Sequence, residues 1–168
     1  MEKKALTLRE IALFGMLGAL TFGAKVAMAL LPNIEPVSLF VMLFAVTFGW
    51  KALYPTYVYV ALEILVYGIN LWNINYLYIW ALLVVVSILA KRLRDPIWWA
   101  LIAGLFGLSF GLLCAPVYLF IGGWEYAAAW WISGLPFDYA HAAGNFVIVL
   151  LLFMPLRALL IKLIRRFY

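Results

Sequence analysis

Charged residues in this chain are confined to short segments between long apolar runs, and that spacing decides what it can fold into. The runs are read at about 10–31, 37–50, 54–69, 76–90, 96–121 and 135–156. An α-helix needs roughly 20 apolar residues to cross the hydrocarbon layer, and the longer runs meet that requirement. Inside lipid every backbone N–H and C=O must be satisfied within the segment, so such runs are helices. The expected fold is all-α: an integral membrane bundle of six transmembrane helices forming a single domain over residues 1–168. The second and fourth runs are short for upright crossings, and a re-entrant hairpin is the competing arrangement.

With six crossings, Lys3, Lys4, Arg9, Lys51, Lys91, Arg92, Arg94, Arg157, Lys162, Arg165 and Arg166 fall on one side, and Lys25 is the exception. The positive-inside rule makes that side, with both termini, cytoplasmic. The net charge of +5 is dispersed over connections and ends, which speaks against a nucleic-acid face. A composition of 69% hydrophobic and 11% charged residues leaves too little polar surface to coat a soluble globule. The basic start and the Ala27-Met28-Ala29 triplet imitate a cleaved signal peptide, but Lys25 lies just ahead of that triplet and argues for a retained first helix.

Enzymatic chemistry finds little to work with. One histidine, His141, and one cysteine, Cys114, make neither a zinc site of the usual composition nor a disulfide within the chain. The stretch from Gly18 to Lys25 approaches a phosphate-binding loop, yet an extra alanine precedes the lysine and no strand leads into it. The expectation is a non-enzyme without metal or cofactor.

Polar residues gather instead near the predicted outer side. Tyr59, Glu63, Tyr67 and Asn70 share one face of the third helix, and Asp138, His141 and Asn145 one face of the sixth. Between them, Asn70 to Trp80 combines amides with Trp72, Tyr76, Tyr78 and Trp80, and a second connection carries Trp124, Glu125, Tyr126, Trp130 and Trp131. Rigid rings with polar edges suit an organic ligand that is part apolar and part hydrogen-bonding. An interfacial aromatic belt explains the same rings without a ligand, and for Trp98 and Trp99 beside the basic loop it is the accepted explanation. Lys25 either snorkels or pairs with Asp138, Glu35 or Glu63. Glu63, Asp138 and His141 also allow a second function, a proton-coupled small-molecule carrier. On the first helix Gly15, Ala19, Gly23 and Ala27 recur every four residues, a small-residue face for packing inside the bundle or against another membrane subunit. The stripe Gly104, Gly107, Gly111 and Ala115 is expected to pack internally.

Six short helices, a small-residue face on the first helix and polar, aromatic outer segments resemble the substrate-binding S component of energy-coupling factor vitamin transporters, a type of ABC importer. The stretches Leu71-Trp72-Asn73-Ile74-Asn75-Tyr76-Leu77-Tyr78 and Ser133-Gly134-Leu135-Pro136-Phe137-Asp138 through His141 to Asn145-Phe146 are most similar to members assigned to cobalamin. Glycine at Gly15 and Gly23 departs from the alanines usual in that family's first helix. The resemblance implies a prokaryotic plasma-membrane subunit that captures a vitamin from outside. A separate transmembrane coupling subunit and two ATPase subunits would then energise import. It further implies Trp72, Asn73, Asn75, Tyr76 and Trp80 as ligand-facing, with Asp138, His141 and Asn145 on the opposite wall. Lys25 and Glu63 would organise the cavity, and Gly15, Ala19 and Gly23 would form the docking face.

Overall fold

The computed structural model describes residues 5–31 and 34–167; Lys3, Lys4 and Pro32 lie outside the described residues. It is all-helical: α1 (Leu8–Ala27), α2 (Val37–Phe48), α3 (Leu53–Tyr67), α4 (Leu71–Leu89), α5 (Pro96–Leu108) and α6 (Phe110–Phe167). Short 3-10 turns, Gly49–Ala52 and Ala90–Arg92, follow α2 and α4. α6 is broken at Gly123, whose φ of 78° and ψ of −174° only glycine adopts readily, so it forms two arms, 110–122 and 124–167.

Local chemistry sets several boundaries. Thr7 caps α1 by accepting the Glu10 N–H at 3.2 Å while Glu10 accepts the Thr7 N–H at 2.9 Å, a capping box. Asp95 accepts the Ile97 N–H at 2.9 Å ahead of Pro96 at the first position of α5. α3 stops at Gly68, with φ of 80°. α4 starts at Leu71, well before the expected 76, because Asn73 accepts the Asn70 N–H at 2.6 Å and so closes the first turn over the amide-rich segment. Likewise Trp124 to Ser133, expected as a connection, is helical, since Gly123 breaks the chain ahead of it.

Cross-helix pairs fix the direction of each rod. Phe14 stacks on Tyr54 and Lys25 meets Glu63, so α1 and α3 run parallel. Phe14 also meets Phe48, and Glu10 pairs with Lys51 just past the end of α2, so α2 runs antiparallel to α1, while its main packing is against α4 and α6. The Tyr57 hydroxyl donates to the Leu77 carbonyl, and that of Tyr78 to Leu113, which turns α4 antiparallel to α3 and to the first arm of α6. Trp99 with Phe153, Gly107 with Ala142 and Tyr118 with Trp130 close the two sides of a hairpin towards Gly123. At Gly107 a Cβ would lie 2.8 Å from the Ala142 nitrogen, so this glycine lets two backbones touch.

The bundle therefore has two unlike ends. Arg9, Lys51, the 91–94 segment and the Arg157 to Arg166 stretch lie at one; Lys25, Glu35, Trp72 and the Gly123 break lie at the other. α2 is the central rod, buried from Val37 to Ala45 except at Phe40, as expected of a helix apolar all round. Outside, large apolar side chains stand free, Leu30 at 94%, Phe120 at 90% and Ile69 at 89% exposure, more than a water-soluble surface tolerates. Among the described residues four helical runs, Leu8–Ala27, Val37–Tyr67, Leu71–Arg92 and Pro96–Arg166, are long and apolar enough to cross a membrane. They number four where six apolar runs are read from the sequence, because α2 continues through its 3-10 turn into α3 and α5 through Ser109 into α6. Length, composition and exposed surface together fit a multi-pass membrane protein.

Candidate functional site

A cavity of about 490 Å³ lies at the end where α1 and α3 finish. Its wall is assembled from single turns of several helices. α4 contributes Trp72, Asn75 and Tyr76, positions i, i+3 and i+4 of one face. The first arm of α6 gives Phe110, Gly111, Cys114 and Tyr118; the second gives Trp130, Gly134, Phe137, Asp138 and His141. Lys25 and the connection carrying Ile34 and Glu35 complete it, with Tyr67 from α3.

Among the residues expected at a ligand, Trp72, Asn75, Tyr76, Asp138 and His141 line this cavity, as does Lys25, which was expected to organise it. Asn75 is buried and meets the Tyr78 hydroxyl at 3.0 Å. Three others do not line it. Asn73 is turned away from the Trp72–Tyr76 face and serves the α4 cap. Trp80 shares the face of Tyr76 but sits one turn deeper, fully buried in an aromatic cluster with Tyr59, Tyr76, Phe106 and Phe110, of which only Tyr76 and Phe110 reach the cavity and the rest pack beneath it as a floor. Asn145 is one turn below His141, where its Nδ2 donates to the Ser38 hydroxyl at 3.1 Å and ties α6 to α2.

The charged groups are unevenly balanced. Lys25 Nζ lies 2.7 Å from Glu63 Oε2, the carboxylate being almost wholly buried, so this pair neutralises itself at the cavity wall. Glu63 stands behind Lys25 rather than on the cavity surface. The Lys25 ammonium also sits over the rings of Tyr67 and Tyr76, at 5.6 and 6.0 Å from their centres. Glu35, on the connection between α1 and α2, is half-buried; burial pushes its carboxyl up to about 7, with Lys25 opposing and Glu63 adding to the shift. Asp138 Oδ1 accepts the Gly111 N–H at 3.0 Å, while its Oδ2, packed against Gly111 where a Cβ would stand, has no donor. His141, edge-on to Phe110, has an unpartnered buried Nε2. Both residues are about 5% exposed, and among the buried side-chain atoms without a partner, which also include Tyr59 Oη, Asn73 Nδ2 and Trp80 Nε1, these two lie on residues of the cavity wall.

No known protein-family model matches the chain, and no curated protein or solved structure matches it either. Function rests on the site itself. Glu35, Phe110, Cys114, Tyr118 and Trp130 belong to the wall but were not among the expected contacts, because four of them lie in apolar or aromatic stretches whose facing only the hairpin about Gly123 determines.

The expected docking residues face outward. A Cβ at Gly15 or Gly23 would meet nothing within 4 Å, and Ala19 is exposed. The glycine that α1 uses for internal packing is Gly18, where a Cβ would come within 2.6 Å of Val58. Gly104, Gly107 and Gly111 by contrast face the second arm of α6.

Proposed function

We propose that this chain is the substrate-capture subunit of an energy-coupling factor type vitamin importer, spanning the membrane six times with both ends cytoplasmic. The observation that carries it is the cavity, ring-lined and holding the buried Asp138 and His141, each with one polar atom lacking a partner, at the end of the bundle away from the basic residues. With the basic end cytoplasmic, that cavity opens towards the outside. The outward Gly15-Ala19-Gly23 face supports a separate coupling subunit, which together with two ATPases would supply the energy. About 490 Å³ is within the range that holds drug-sized ligands and favours a one- or two-ring vitamin over cobalamin, whose corrin and nucleotide loop would seat only by an edge.

The proton-coupled carrier is the alternative. It needs a relay through Glu63, Asp138 and His141, yet Glu63 is bonded to Lys25, Asp138 to Gly111, and no hydrogen bond joins the three among the described residues. The deciding experiment is native mass spectrometry of the detergent-purified chain with titration against a vitamin panel that includes cobalamin, followed by uptake in vesicles with and without the energising subunits. One-to-one binding without ATP or an ion gradient, and uptake only with partners, supports capture. Uptake by the chain alone under a pH gradient refutes it.

A further inference from the structure

Resting on the capture reading, we infer that the cavity selects a compact, flat organic cation: an aromatic or heteroaromatic ring bearing a permanently charged nitrogen or a protonated amine. The inference follows from the charge balance of the wall. Among the described residues its one strongly basic side chain, Lys25, is already paired with Glu63 at 2.7 Å, and no arginine lines the cavity. An anionic ligand would find no uncommitted cation and would face Glu35 and Asp138. A cation would find those same two carboxyls in the wall, neither of them in an ion pair among the described residues. It would also find ring faces, and Lys25 over Tyr67 and Tyr76 shows that these rings accept a positive charge. A bound cation would keep the Glu35 carboxyl ionised at neutral pH.

Gly111 is part of the device. The Asp138 carboxyl occupies the space that a Cβ at this position would fill, and the Gly111 N–H holds Oδ1 at 3.0 Å. The carboxylate is thereby fixed in the wall rather than free to swing into solvent, which favours discrimination by charge over mere attraction.

The test uses the whole chain in detergent and a matched pair of probes, 1-methylnicotinamide and nicotinamide, which share a ring and differ in charge. Thiamine and pyridoxamine extend the cationic side, riboflavin is the neutral probe, and biotin and pantothenate are the anionic ones. The cationic member of the pair should bind about tenfold or more tightly than the neutral one, as expected of cation–π contact with a charge-assisted hydrogen bond. Glu35→Gln and Asp138→Asn should each weaken binding of the cationic probe by about tenfold and so narrow its advantage over nicotinamide. Glu35→Gln lies outside the helices and keeps the test open should Asp138→Asn fail to fold. Tighter binding of a neutral or anionic probe, or cation binding indifferent to both variants, overturns the charge assignment and leaves the capture reading standing. A folded protein that binds none of these probes overturns the charge assignment, and one that also binds no member of the wider vitamin panel, cobalamin included, overturns the capture reading as well.

Discussion

Removing Lys25 should destabilise the chain far more than removing Lys25 and Glu63 together. The pair is closed at 2.7 Å, with the Glu63 side chain 2% and the Lys25 side chain 23% exposed. In Lys25→Met the Glu63 carboxylate stays buried with neither oxygen satisfied, since Oε1 already lacks a partner. Breaking one side of a fully buried pair costs about 3–5 kcal/mol. The partial exposure of Lys25 lets water reach its end of the bridge, so the cost falls below that range, at roughly 2–3 kcal/mol. Lys25→Met with Glu63→Met replaces the pair by apolar volume and should return to within about 1 kcal/mol of the parent. Reversible unfolding in mixed micelles, run on the parent, both single variants and the double, gives the coupling energy directly. Additive effects, with coupling below about 0.5 kcal/mol, would refute the view that this bridge is a closed, desolvated unit.

Gly107→Ala should cost about 1–3 kcal/mol in the same assay, because the new methyl meets the Ala142 backbone, whereas Gly23→Ala should be neutral or slightly stabilising in open space. Glu35 keeps its proton to about pH 7 in the fold but only to its ordinary value of 4.5 when unfolded, so the fold binds more protons between those values. Stability should therefore fall as pH rises through that window, and Glu35→Gln should flatten the profile. Trp72→Ala should weaken ligand binding with the fold intact, while Trp80→Ala, from the fully buried floor, should lower stability by about 3–5 kcal/mol, read by unfolding midpoint beside the binding titration. Gly15→Leu or Ala19→Leu should abolish partner-dependent uptake and spare binding; unimpaired uptake in both would remove α1 as the docking surface.

What the sequence made legible was the helical class and the polarity of the ends, since both follow from runs of apolar residues and the position of lysines and arginines. The candidate site was legible in kind but not in depth. Trp72, Asn75, Tyr76, Asp138 and His141 were found because amides, rings and acids cluster near helix ends, and composition signals that much. Trp80 and Asn145 repeat the same chemistry one turn lower, where neighbouring helices close over them, and a helical period does not say at which turn a cavity stops. Asn73 carried the same composition signal but lies off the face, and its use as a cap explains why an amide is there at all. The Phe110, Cys114 and Tyr118 wall was hidden for the opposite reason. In an apolar run each of these is indistinguishable from core until the Gly123 break folds the second arm of α6 back against the first.

The aromatic floor beneath the cavity has a consequence for how such a protein can diversify. Trp80, Tyr59, Tyr76, Phe106 and Phe110 hold helices together through the same ring contacts that close the site from below. A substitution that reshaped the floor for a new ligand would also loosen the bundle, so inheritance of the floor and drift at the mouth is the affordable route. The mouth, at Glu35, Trp72 and Phe137, sits on a connection and on exposed turns where exchanges cost little. Descendants of this chain should therefore differ there first, while sharing the same base.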